Sequence, residues 1–190
     1  GGMQEWDLRV SLMLDHAARD HGTRAIVSRG IDGQDHRTDW TGIRDNALRM
    51  TQALRRLGIG KGDRVATLAM NHGRHLATWW GATGAGGVLH TINPRLFDDQ
   101  LVYIVNHAED RVLIYDAAFQ PMVDRLREQW HSVEYYICFD GPVEGAAGFD
   151  AWISAEGGDA EWSAGDERDP CMLCYTSGTT GDPKGVLYTH

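Results

Sequence analysis

Two rhythms of apolar residues alternate along the chain. Short, nearly continuous apolar runs occur at Ala25–Ser28, Arg64–Met70, Val88–Ile92, Val112–Asp116, Tyr135–Phe139 and Met172–Tyr175. Runs of this length bounded by Gly, Pro, Asn or Asp read as strands. Between them, apolar residues return at helical spacing. The clearest stripe is Ile43, Ala47, Met50, Leu54 and Leu57, opened by Thr41 and closed by Gly58. Arg44, Arg49, Arg55 and Arg56 fall off that stripe and read as its solvated side. An earlier helix carries Leu12, Leu14, Ala17 and Ala18, with Ser11 as its cap and Gly22 at its end. Further helices are predicted over His75–Gly84, from Asp98 or Asp99 to Ala108, and over Met122–Trp130. Gly30–Gly33 is a turn, giving a hairpin that runs towards Trp40. The alternation of strand and helix predicts an α/β fold: a largely parallel sheet flanked by helices on both faces. In such sheets, ligands bind beyond the carboxyl ends of the strands.

Composition bounds the picture. With 190 residues and 42% hydrophobic content, the chain can bury one real core. A formal charge of −9 argues against nucleic acid and anionic membranes, which call for basic patches. The longest apolar stretch, Leu76–Ile92, is interrupted by Gly84, Gly86, Gly87 and His90 and is too short to span a bilayer. Three cysteines, Cys138, Cys171 and Cys174, fit a reducing cytoplasm. Cys171-Met172-Leu173-Cys174 has no second pair to complete a zinc site, so both cysteines read as small buried hydrophobes in a strand. Nine histidines are scattered over separate elements without a metal-binding spacing. Gly1-Gly2 before Met3 reads as a cloning remnant, outside the fold proper. Composition shifts at Asp140–Asp169, where Gly, Ala, Glu and Asp dominate around Phe149, Trp152 and Ile153. That stretch reads as a connecting segment with one helical turn.

The densest chemistry lies at Tyr175–His190, YTSGTTGDPKGVLYTH. Thr176, Ser177, Thr179 and Thr180 set hydroxyls beside Gly178, Gly181 and Gly185, with Lys184 as the one cation. Glycine lets a backbone approach another group closely, and consecutive N–H groups in such a loop form an anion nest. Hydroxyls add neutral donors, and lysine adds a compact positive charge suited to phosphate. Asp182 would oppose phosphate and is expected to face solvent. The loop differs from the Walker A pattern, in which a Ser or Thr follows the lysine and a helix comes next. Here Gly185 follows, and Val186-Leu187-Tyr188-Thr189 predicts a strand.

This stretch resembles the phosphate loop of adenylate-forming enzymes, a family that includes acyl-CoA synthetases and nonribosomal-peptide adenylation domains. HTINPRL at His90–Leu96 and YIVNHAEDRVL at Tyr103–Leu113 resemble its fatty-acyl-CoA ligase branch, including medium-chain and methylthiopropionate ligases. The resemblance runs from Trp6 onward and covers the front part of the family's usual length. It implies that residues 3–190 are part of the amino-terminal domain of such a ligase, with 140–169 connecting and 175–190 forming the loop and following strand. The implied reaction joins a carboxylic acid to ATP, giving acyl-AMP and pyrophosphate, and then passes the acyl group to coenzyme A. Mg²⁺ would accompany ATP. Thr176, Ser177, Gly178, Thr179, Thr180, Gly181 and Lys184 would bind the ATP phosphates. The family's magnesium-serving Thr-Glu motif, ribose-binding Asp and mobile lysine have no counterpart in these 190 residues, so no catalytic or metal-ligating residue is assigned. A second reading is a catalytically inactive folding or nucleotide-binding unit of such a protein. An exposed final strand makes self-association an expected outcome.

Overall fold

The computed structural model describes residues 6–30, 33–176 and 181–190. Helix α1 (Val10–His21) precedes an antiparallel hairpin, β1 (Ala25–Arg29) and β2 (Asp35–Asp39). Then follow α2 (Trp40–Arg56), β3 (Arg64–Leu68), α3 (Gly73–Gly84), β4 (Val88–Thr91), α4 (Asp98–Ala108) and β5 (Asp110–Tyr115). The chain continues through α5 (Gln120–Leu126), β6 (Tyr135–Cys138), β7 (Ala147–Gly148), α6 (Phe149–Ser154), β8 (Pro170–Thr176) and β9 (Lys184–Thr189).

Among the described residues, seven strands form one sheet in the order β7-β6-β5-β3-β4-β8-β9. Every neighbouring pair is parallel except β8 and β9. The expected largely parallel α/β sheet is therefore present. Its central strands are apolar on both sides because helices cover both faces. In β5, Val112 and Ile114 pack with Met50 and Leu54 of α2 and Ala82 of α3. Leu113 and Tyr115 pack on the other face with Leu101, Ile104 and Val105 of α4 and Val123 of α5. A third cluster joins Leu14 of α1, Ile43 and Ala47 of α2, and Ala77 and Trp80 of α3.

Two expectations from local sequence fail for tertiary reasons. Ser11 does not cap α1: the helix starts at Val10, Arg9 is the cap position, and Ser11 is buried within the first turn. The start is held from outside the helix, by Trp80 Nε1–H donating to the Val10 carbonyl at 3.0 Å and by Arg9 donating to Asp166 O at 3.2 Å. The arginine side of α2 is not simply solvated either. Arg56 pairs with Glu156 at 2.6 Å, Arg55 donates to Glu161 O at 2.9 Å, Arg49 donates to Glu156 O, and Gln52 donates to Asp159 at 2.7 Å. Together they strap the chain after α6 along the helix. Trp162 then seats against Gly84 of α3, where an added Cβ would collide with the indole, so close approach requires glycine there. Its indole N–H donates to the Asp15 carboxylate at 3.0 Å.

Candidate functional site

The loop between β8 and β9 is placed by strand pairing at both ends. Strand β8 runs parallel to β4, with Leu89 opposite Met172 and His90 opposite Leu173. Strand β9 returns antiparallel, in a register that sets Thr176 opposite Lys184 and Leu173 opposite Leu187. The loop therefore leaves the carboxyl end of β8, the edge at which parallel sheets bind ligands. Ser177, Gly178, Thr179 and Thr180 lie outside the described residues. The remaining expected phosphate contacts are brought together at the two strand ends. Thr176 Oγ1 donates to Lys184 O across the hairpin at a long 3.5 Å. Gly181 takes φ +96°, which glycine reaches without a Cβ penalty. Pro183 is buried, while Asp182 and Lys184 are exposed, so the carboxylate does face solvent. The following strand starts at Lys184, two residues before the predicted one, because its pairing with β8 extends to Thr176.

Beneath the start of the loop lies a group of ionisable side chains whose association sequence reasoning missed. His90 on β4 and Asp110 on β5 are fully buried, and His90 Nδ1 meets Asp110 Oδ2 at 2.7 Å. Strand β3 lies between them, with Arg64 level with Asp110 and Ala66 level with His90. Burial pushes the Asp110 carboxyl above its ordinary range, against the opposing pull of His90 and Arg64. The His90 ring lies 5.1 Å from that of Tyr175, and the Tyr175 hydroxyl shares a hydrogen bond with His107 Nδ1 on α4 at 2.7 Å. Burial, reinforced by the nearby Asp110, pushes the Tyr175 phenol up to about 12. The only sequence signal for this group was a histidine inside the apolar run Val88–Ile92 and an aspartate ahead of another, and neither shows that the two meet.

A second cluster occupies the point where the loops after β3 and β5 diverge. A cavity of about 720 Å³ opens there, lined among others by Met70, His72, Arg74, Asp116 and Arg37. His72 Nε2–H donates to Asp116 Oδ1 at 2.8 Å, and Asp116 Oδ2 accepts from the Met70 N–H at 2.6 Å. His72 Nδ1 accepts from the His75 N–H and so caps α3.

Cys171 is buried, as expected, and burial raises its thiol pKa. Cys174 is only half-buried, which corrects the expectation for it. It lies on the opposite face of β8 from Leu173 and next to the thinly covered edge strand, with Thr91 Oγ1 3.8 Å from its sulfur. His190 lies at the end of β9, where Arg9 donates to its Nε2 at 3.0 Å and ties that end to the start of α1. Among the described residues, no group of three or more His, Cys, Asp or Glu side chains could hold a metal ion. No helix there is long and apolar enough to cross a membrane.

A largely parallel sheet flanked by helices defines an α/β protein, and comparison with known proteins gives the family. The chain belongs to the AMP-binding enzyme family, whose model matches residues 14–190, and it is similar in sequence to acyl-CoA ligases. It is 48% identical to the 3-methylmercaptopropionyl-CoA ligase of Ruegeria lacuscaerulensis, over all of this chain and 36% of that protein. It is 41% identical to the long-chain-fatty-acid–CoA ligase of Thermus thermophilus, over 99% of this chain and 34% of the relative. The crystal structure of the anthranilate CoA ligase AuaEII with anthranoyl-AMP shares the fold, with a TM-score of 0.89 at 24% identity over 98% of this chain and 35% of that one. The chain thus spans about a third of the length of these relatives.

Proposed function

We propose that this chain supplies the phosphate-gripping part of an ATP-dependent acyl-CoA ligase. In the complete ligase, a carboxylate oxygen attacks the α-phosphorus of MgATP. The bond to the bridging oxygen breaks, and pyrophosphate leaves with that oxygen. The thiol sulfur of coenzyme A then attacks the acyl carbonyl, and AMP departs with its phosphate oxygen as the thioester forms. The first step depends mainly on positioning and on stabilising charge that builds on the leaving group. Thr176, Ser177, Gly178, Thr179, Thr180, Gly181 and Lys184 are the residues assigned to the β- and γ-phosphates. Magnesium enters as part of the MgATP substrate, and no ligand for it is assigned in this chain. The acid is a fatty acid or a short thioether acid of the methylthiopropionate kind, following the names of the two ligases above. A reducing cytoplasm suits the three free cysteines.

The observation that carries this reading is the hairpin register that sets Thr176 directly opposite Lys184 at the carboxyl end of β8. It supplies a hydroxyl and an exposed cation at the two ends of one short glycine-rich loop. Lys184→Ala in the complete protein should slow acyl-adenylate formation by about a hundredfold, comparable to losing one charge-stabilising donor. Thioester formation from supplied acyl-AMP should fall much less. ATP–pyrophosphate exchange and thioesterification, measured separately, decide the matter, and equal losses in both would remove Lys184 from this role.

A second reading keeps the fold and drops the catalysis. The 190 residues alone would then be a nucleotide-binding or folding unit, consistent with their spanning about a third of the relatives' length. Calorimetric titration of the chain with ATP separates a binder from an inert unit.

A further inference from the structure

We propose that the buried Asp110–His90 pair positions the phosphate loop, holding Tyr175 through the His90 ring and so fixing the end of β8 from which the loop departs. The proposal rests on reading Thr176–Lys184 as a phosphate loop. Three observations carry it. First, the pair is costly as scaffold. Both side chains are fully buried, yet His90 Nε2 and Asp110 Oδ1 have no hydrogen-bond partner among the described residues. Buried polar atoms are normally satisfied, and an apolar pair would fill this space without orphaned atoms. Second, Tyr175 is gripped from two elements: by the His90 ring on β4 at 5.1 Å and by His107 Nδ1 on α4, hydrogen-bonded to its hydroxyl at 2.7 Å. Third, Tyr175 immediately precedes Thr176, where the loop begins. A displacement of the tyrosine is therefore passed to the loop backbone one peptide unit away.

The other ionisable groups around the pair are few and named. Arg64 on β3 faces Asp110 and is itself held by Glu109 at 2.8 Å. From α4, His107 meets Tyr175 and stacks on Tyr103 at 5.1 Å.

The test uses the complete protein. Asp110→Asn and His90→Gln each keep the approximate shape while altering the charge and proton sharing of the pair. In ATP–pyrophosphate exchange, the KM for ATP should rise about tenfold in both variants, while the KM for the carboxylic acid stays within about twofold. The pH profile of kcat/KM for ATP should shift in the variants relative to the parent. An unchanged KM for ATP, or ATP and acid KM values rising together, overturns the proposal. A measurement on the unmutated protein keeps it testable if the variants do not fold: the His90 imidazole resonance should move when inorganic pyrophosphate is added, and a stationary resonance rejects it. Lys184→Ala serves as the control. If that variant exchanges normally, the phosphate-loop reading fails; if it is impaired while the Asp110 and His90 variants behave as the parent, only the positioning role fails.

Discussion

Away from the exposed His16–Asp20 pair of α1, histidine meets aspartate at nearly the same distance in two parts of this molecule, 2.8 Å for His72 and Asp116 and 2.7 Å for His90 and Asp110. Their surroundings differ. At the carboxyl ends of β3 and β5, each polar atom of the first pair has a partner: Asp116 accepts from His72 and the Met70 N–H, and His72 accepts from the His75 N–H. The second pair lies deeper, and each member retains an orphaned atom among the described residues. A satisfied pair ties elements together, here the β3–α3 turn to the end of β5. A pair left partly unsatisfied contributes less to stability, because desolvating its unpaired atoms offsets the contact itself. The same two residue types therefore serve as a fastener in one place and as a partly unsatisfied support beneath the loop in the other.

The largest effect that should separate them is on stability. Asp116→Ala removes acceptors from both His72 and the Met70 N–H in a nearly buried setting. It should cost about 3 kcal/mol, read by urea or thermal unfolding. A loss near zero would show that the first pair is not a fastener. Asp110→Asn should cost less than about 1 kcal/mol at neutral pH, because it discharges an atom set that burial already disfavours. The sign of its pH dependence follows from the raised folded-state pKa of Asp110. An acid with a raised pKa in the folded state stabilises fully below its unfolded value and loses that contribution as pH rises through the folded one. The asparagine variant lacks this loss. Its stability relative to the parent should therefore improve as pH climbs above the ordinary carboxylate value of 3.8. A relative stability that worsens with pH would show that the ionised carboxylate is the favoured form, and the contrast between the pairs would collapse.

Neither pair could be read from the sequence, whereas the sheet around them could. Val112–Asp116 is apolar without alternation, and β5 does bury side chains on both faces. Leu101, Ile104 and Val105 recur at helical spacing, and α4 buries all three. Local periodicity reports burial because burial is what selects it. It carries no information about which distant residues meet. His90 and Asp110 lie on strands separated in space by β3, and their meeting depends on two parallel registers that no motif encodes. The arginines of α2 give the same lesson, since Arg49 and Arg56 meet Glu156 more than 90 residues away. Of the loop, the sequence conveyed the strand that follows it. The pairing of Thr176 with Lys184 is a matter of register, which only the fold supplies.

The smallest expected effect tests whether the fastener extends to a third histidine. His75 stands beside the first pair on α3, with Nδ1–H donating to Met70 O at 3.0 Å and Nε2 accepting from the Thr67 hydroxyl at 3.0 Å. Both nitrogens are thus used by the neutral ring. Burial lowers the His75 pKa from its ordinary 6.5; the Met70 carbonyl and Asp116 oppose this, while His72 adds to it. A base with a lowered folded-state pKa is bound by more protons when unfolded, so its contribution is present above 6.5 and is lost as pH falls below that value. The melting temperature should accordingly fall as pH drops below about 6.5. His75→Gln keeps a donor and an acceptor but does not titrate, so it should flatten that slope while changing neutral-pH stability little. Asp116→Ala should steepen it, because removing the carboxylate takes away a charge that favours protonated His75 in the folded state. If the slope is the same in all three proteins, His75 is not part of the cluster's energetics, and the acid sensitivity belongs elsewhere, with His190, also lowered by burial, as the next residue to replace.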